Sequence, residues 1–298
     1  MRNALQRIEP FLTPLLAFGG IYLTALIVFS LVARIAVDRV NLGLGHLLSL
    51  AAVIVATLVC VLVLERGSWR LGLLVSPRAV FRSAGRGLVT AGVVVGFGHL
   101  LILALSEYQH VPGGGFDWAL VLLLLVPAAF GEELLFRGYA LQKLSDVSPG
   151  WAVLVTSLLF TIAHAGNPAV GAIPLANIFL AGVMLALLRW WDGTLWSPIF
   201  AHVGWNVLSG PILGHELSGL ELGRTVLDER DPGPSWLTGG AFGIEGSVLV
   251  TVTVGAAIAF LCWRIRAGGR VLRQDATATT RAEVPDSRAG TYDDQDER

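Results

Sequence analysis

Three segments carry side chains of catalytic type inside long uncharged stretches. The first is Phe130-Gly131-Glu132-Glu133-Leu134-Leu135-Phe136-Arg137, at the end of the apolar run Trp118–Gly131. Ionisable groups at membrane depth are costly and usually functional. Neighbouring residues of a helix point about 100° apart, so Glu132 and Glu133 cannot both face one target. Glu133 and Arg137, four residues apart, share a helix face and are placed for an ion pair. That pair neutralises Glu133 and leaves Glu132 aimed elsewhere, where a carboxylate without a fixed cation can act as a general base or hold a metal. The plainer alternative is a solvated helix end at the cytoplasmic interface.

The second segment is Phe160-Thr161-Ile162-Ala163-His164, followed by the turn-forming Gly166-Asn167-Pro168. Taken alone, His164 reads as an interfacial or hydrogen-bonded histidine. The third is His202-Val203-Gly204-Trp205-Asn206, in the apolar run after Trp196. His202 and Asn206 lie on one helical stripe and point into a bundle, where a hydrogen bond between helices would also account for them. Jointly, a glutamate, two histidines and an asparagine on separate spans form a plausible hydrolytic set. In one scheme Glu132, His164 and His202 bind zinc, with water in the open position. In the other, Glu132 and His164 activate a water as general bases, and His202 and Asn206 donate to the developing oxyanion. Spacing does not choose between them.

The elements that must position these groups follow from composition. The 298 residues are 54% hydrophobic and 14% charged, with mean hydropathy +0.68. Soluble domains carry about 25% charged residues, so the chain is expected to be an all-α, polytopic membrane bundle. Eight apolar runs account for its spans, at about 11–33, 42–64, 87–106, 118–140, 150–165, 172–190, 195–212 and 246–263. The first is longer than the apolar region of a signal peptide and lacks a clear cleavage site, so it reads as a retained span. Arg66, Arg70, Arg78, Arg82 and Arg86 in the second loop, and Arg264, Arg266, Arg270 and Arg273 after the last span, place those segments in the cytoplasm with both termini. The transmembrane domain is then 1–266, with an external loop at about 213–245 and a disordered cytoplasmic tail at 267–298. The net charge of −1 gives no basis for a nucleic-acid partner. His46, His99 and His110 have no partner at a chemical spacing and read as structural or interfacial. His215-Glu216 is not a soluble zinc-protease motif, because Gly219 stands where the second histidine is required.

Glu132-Glu133-x-x-x-Arg137, Phe160-x-x-x-His164 and His202-x-x-x-Asn206, in that order on successive hydrophobic segments, resemble the CPBP (ABI) family of CAAX proteases and bacteriocin-processing or bacteriocin-immunity membrane proteins. The resemblance covers about residues 118–210. It implies an intramembrane endopeptidase of the cell membrane, in a helical bundle whose cavity opens to the cytoplasm, acting on a peptide or membrane-anchored protein. By the same resemblance Glu132, His164, His202 and Asn206 are the catalytic positions, Glu133 and Arg137 support them, and zinc is a possible cofactor beside a glutamate-activated water. A transporter or channel, in which the buried glutamates and histidines form an ion path, and a proteolytically inactive immunity or scaffold protein of the same fold are the competing readings.

Overall fold

The computed structural model describes residues 2–37, 41–66 and 71–268, with side chains from residue 11 onward. Arg70 of the basic loop and the expected tail from 269 onward lie outside the described residues. Every one of the eight apolar runs becomes helical: α1 (Arg2–Ala36), α2 (Leu42–Leu64), α3 (Pro77–Leu105), α4 (Trp118–Ser145), α5 (Pro149–His164), α6 (Ala172–Asp192), α7 (Trp196–Val207) and α8 (Val248–Gly268). Six of these are long and apolar enough to cross a membrane, all but α5 and α7. Helices suit this role because they satisfy their own backbone groups where no water is present.

Local signals set the boundaries. Asn41 caps α2 by accepting from the Leu44 N–H at 2.9 Å, and Asp117 caps α4 by accepting from Leu120 N–H at 3.0 Å. Ser76 caps α3, with Pro77 in the first turn, where proline's fixed φ and missing N–H cost nothing. This start lies ten residues before the expected 87, because Arg78, Arg82 and Arg86 ride on extra polar turns of the same helix. Gly193 ends α6 with φ +80°, a left-handed conformation that glycine adopts without penalty.

The bundle is layered about α6. Half of its apolar window is buried, against 6% for α1, so α6 is central and α1 peripheral. Helix α6 packs between α5 and α8, α3 against α7, and α2 against both α1 and α4. Leu16, Leu23, Ile27 and Leu31 of α1 remain exposed, as a lipid-facing surface requires.

The segment expected as a plain external loop is more ordered than its composition suggests. Gln109–Pro112 (β1) pairs antiparallel with Leu227–Arg230 (β2), Gln109 opposite Arg230 and Pro112 opposite Leu227. Four residues per strand are too few for alternation to be read from sequence. Beside this ladder lies a buried polar chain that gives His99 and His110, read as structural or interfacial, partners that no helical spacing marks. His99 Nδ1 lies 3.0 Å from His215 Nε2, and His99 Nε2 lies 2.8 Å from His110 Nε2. Tyr108 OH donates to Glu229 Oε2 at 2.8 Å, and His215 Nδ1 is 3.2 Å from the same oxygen. One proton per ring satisfies the chain: His215 donates to Glu229, His99 to His215, and His110 to His99. The partners come from α3, β1, β2 and the segment after α7, so no local spacing reveals them.

An added proton has no acceptor in this chain. Burial pushes the His215 imidazole down to about 4, and the neighbouring His110 adds to the effect. A folded-state value below the ordinary 6.5 means that the unfolded chain binds the proton first. Stability is therefore flat above about pH 6.5, falls by up to ~3 kcal/mol between about 6.5 and 4, and levels off below. Hydrogen exchange should show the amides of 109–112 and 227–230 losing protection as pH drops from 7 to 5. Unchanged protection, after correction for the intrinsic rate, would show that the chain does not titrate in this range.

Candidate functional site

Helix α4 sets the first carboxylates. It departs from α geometry at two places, and a π-wound stretch runs from Leu134 to Ala140, immediately after the two glutamates. Such insertions change the angular register of the residues beyond them and recur at functional sites. Within it Arg137 is fully buried. Its Nη1 donates to Glu133 Oε1 at 3.0 Å and its Nη2 to the Gly182 carbonyl of α6 at 3.2 Å. The guanidinium also lies 4.3 Å from the centre of the Phe160 ring, a cation–π arrangement. A Cβ on Gly182 would stand 3.2 Å from Arg137 Nη2 and 3.0 Å from Ser157 Cβ, so glycine is what lets α6 approach both.

The second oxygen contact of Glu133 organises α7. His202 Nδ1 lies 3.0 Å from the same Glu133 Oε1 that Arg137 holds. Since a carboxylate only accepts, His202 donates through Nδ1, and its Nε2 points the other way. His164 is fixed in the same sense, with Nδ1 donating to the Phe160 carbonyl at 2.8 Å. Both free Nε2 atoms face Glu132: Oε2 is 3.9 Å from His164 Nε2 and 3.9 Å from His202 Nε2. That oxygen is buried and has no hydrogen-bond partner among the described residues. A separation of 3.9 Å is too long for a hydrogen bond and suits a bridging water.

The four expected positions, Glu132, His164, His202 and Asn206, line one cavity of about 810 Å³. Glu133 and Arg137 stand behind it as a buried pair. Phe160 packs edge to face against His202, with ring centres 5.9 Å apart, and at 4.6 Å from His164. It thus braces both imidazoles and the guanidinium, which explains the phenylalanine of its motif.

Two further residues reach the cavity unforeseen. His46 of α2 lines it. The residue read as structural or interfacial thus stands on the cavity wall. Glu245, at the end of the segment expected as an external loop, lines it too, together with Leu217, Ser218, Leu220 and Leu222. That segment folds back over the cavity instead of standing clear of the bundle. Neither residue has a partner at a helical spacing, so neither carried a signal in the sequence.

A comparison with known families gives a match over residues 113–208 to the Rce1-like family, described as type II CAAX prenyl endopeptidase. The match supports the resemblance to CAAX proteases over this segment. The segment holds all six expected positions, and the match covers about a third of the chain. No curated protein matches the chain. The family match supports a protease acting on a peptide or protein, and six long apolar helices make the chain a multi-pass membrane protein.

The zinc scheme requires Glu132, His164 and His202 to converge on one ion. Tetrahedral bonds of about 2.0–2.2 Å put neighbouring donors about 3.4 Å apart, whereas Glu132 Oε2 is 3.9 Å from each imidazole nitrogen. Among the described residues no three His, Cys, Asp or Glu side chains form a group that could hold a metal ion. The donor set as it stands does not fit zinc, and no step of the reaction is routed through one.

The buried pair sets a stability expectation. Arg137→Met leaves Glu133 buried without its cation, and should cost about 3–5 kcal/mol. Adding Glu133→Leu to Arg137→Met removes the orphaned charge and should recover most of that loss. Thermal unfolding in detergent of both single variants and the double variant checks this. Additive losses would show that the two side chains do not act as a pair.

Proposed function

We propose that the chain is an intramembrane endopeptidase of the CAAX-protease type, hydrolysing a peptide bond with a water held between Glu132, His164 and His202. The observation that carries this reading is the unpartnered, buried Glu132 oxygen with a free imidazole nitrogen 3.9 Å away on either side. One water bonded to Glu132 and His164 satisfies groups that the protein itself leaves unmatched.

In the proposed reaction, Glu132 and His164 take the proton of that water as its oxygen attacks the peptide carbonyl carbon. Negative charge then collects on the carbonyl oxygen. His202 faces it through Nε2, and Glu133 on the Nδ1–H side compensates a proton carried there, as a buried carboxylate does for a catalytic imidazole in other hydrolases. Asn206, one turn along α7, supplies a second donor. The proton taken from water passes to the leaving amine as the carbon–nitrogen bond breaks. The Arg137–Glu133 pair holds these orientations without touching the substrate.

The apolar cavity wall, which includes Leu42, Leu124, Leu135, Met184 and Leu185, suits an extended apolar stretch of a membrane-anchored substrate. We place the enzyme in the cell membrane with both termini in the cytoplasm, on the strength of its arginine-rich segments. Immunity or scaffold function by an inactive relative is the competing reading.

Cells carrying wild type should yield protein termini that are absent from cells carrying Glu132→Ala at equal expression, when terminal peptides are compared by mass spectrometry. His202→Ala and Asn206→Ala should lower cleavage of the substrate so found by about 10²–10³. Identical termini in wild type and Glu132→Ala would refute the endopeptidase. Activity that survives a strong chelator, in protein whose zinc content by mass spectrometry is far below one per chain, supports the metal-free scheme. Activity lost with the metal and restored by zinc would refute that scheme.

A further inference from the structure

The cavity holds a second carboxylate that the proposed reaction does not use. Glu245 lies outside the family-matched segment, in the one-turn 3₁₀ helix Ile244–Gly246 just before α8. Its backbone is pinned: Asn177 Nδ2 of α6 donates to the Glu245 carbonyl at 2.7 Å and to the Ser247 carbonyl at 2.9 Å. Its side chain is oriented from two directions. Trp205 Nε1 donates to Oε1 at 3.0 Å, and Ser218 Oγ donates to Oε2 at 2.5 Å. Each oxygen keeps a further lone pair on a group that lines the same cavity as Glu132, His164 and His202.

The charge balance of this cavity is one-sided. Glu132 and Glu245 line it, with His46, His164 and His202, and no Lys or Arg is among the described residues of its wall. The buried cation closest to the chemistry, Arg137, is committed to Glu133. Burial pushes the Glu245 carboxyl up from its usual value, and the Ser218 hydrogen bond, the nearby His164 and His202 imidazoles and the Trp205 hydrogen bond offset only part of this. An incoming cation would relieve that cost, and the relief would appear as affinity. Trp205 also precedes Asn206 in α7, so Glu245 is braced by the helix that carries two of the proposed catalytic groups.

We propose that Glu245 is a substrate-binding carboxylate that accepts a basic side chain, lysine or arginine, from the peptide in the cavity. The endopeptidase so selects peptides with a basic residue near the scissile bond within an otherwise apolar stretch. This inference rests on the peptide-substrate reading above and adds a determinant from outside the family segment. A purely structural duty, holding the 213–223 segment through Ser218, is the alternative that the experiment must separate.

Full-length Glu132→Ala protein in detergent provides a cleavage-free background. The probe is an Ala/Leu decapeptide with blocked termini, a neutral fluorophore and one central lysine, compared by fluorescence anisotropy with the same peptide carrying norleucine. The lysine peptide should bind at least tenfold tighter. Glu132→Ala/Glu245→Gln should reduce that ratio to near one, and Glu132→Ala/Glu245→Asp should keep part of it. Equal binding of the two peptides by Glu132→Ala protein, or no binding of the lysine peptide, overturns the proposal. So does a Glu245→Gln variant that weakens both peptides alike and leaves the ratio intact, as a structural duty predicts. The reading beneath it fails separately: a preserved lysine preference with no wild-type cleavage leaves Glu245 as a cation-binding group and removes the endopeptidase.

Discussion

A charged arginine enclosed in a membrane bundle must be answered by an acceptor, and the rest of the site depends on how this is done. Arg137 is fully buried and its guanidinium meets Glu133. The same Glu133 oxygen that meets the guanidinium also takes the His202 N–H. One carboxylate thereby fixes a cation from its own helix and an imidazole from α7. Taking ions out of water costs several kcal/mol each, which mutual attraction returns only with good geometry and further hydrogen bonds. The Gly182 carbonyl and the Phe160 ring supply these. The pair is thus weak evidence for stability and stronger evidence for orientation, because each partner closes one direction in which its neighbour might turn.

The consequence reaches Glu132 by exclusion. Three of the nearby donors are already committed: Arg137 to Glu133, His202 Nδ1 to Glu133, and His164 Nδ1 to its own backbone. What remains around Glu132 is the Nε2 atom of each imidazole and a gap of water size. An unpaired buried carboxylate oxygen is costly, and it persists where the surrounding packing is over-determined. Phe160, wedged among His164, His202 and Arg137, and Gly182, where α6 closes on Ser157 and Arg137, supply that packing.

These relations were unequally legible in the sequence. Glu133 with Arg137, and His202 with Asn206, are one helical turn apart, so a periodicity argument finds them without knowing the fold. The orientation of Glu132 away from the ion pair follows from the same 100° step. The meeting of α4, α5 and α7 does not follow from any local spacing, and the family resemblance carried that step. Where neither aid was present, the reading fell short. His99 and His215 are 116 residues apart, and Glu245 is 40 residues from Trp205. Their pairing is set by how the segment after α7 folds back, and glycine-rich connecting chain carries no periodicity from which to infer it. The start of α3 was misplaced for a different reason: hydropathy marks the apolar part of a helix, whereas Ser76-Pro77 marks the helix itself.

The two apolar helices too short to qualify as spans, α5 and α7, are the two that carry His164 and His202. Sixteen residues of α5 rise about 24 Å, less than the roughly 30 Å of a bilayer's hydrocarbon core. Backbone that leaves helical geometry at such depth is tolerated only when buried in protein or lining a cavity. His164 is the last residue of α5. Three residues on, Asn167 Nδ2 donates to the Ser218 carbonyl at 3.0 Å, and the Gly219 N–H meets the Phe242 carbonyl at 3.1 Å. The segment after α7 therefore covers the end of α5. A full-length span would carry its backbone past this level and leave the histidine ring in the middle of a continuous apolar stripe. Stopping the helix at His164 opens the space that becomes the cavity. The covering segment then brings Ser218 and Glu245 to the wall of the same cavity. The shortness of α5 and the fold-back of residues 213–245 are thus two halves of one arrangement, joined where Asn167 donates to the Ser218 carbonyl.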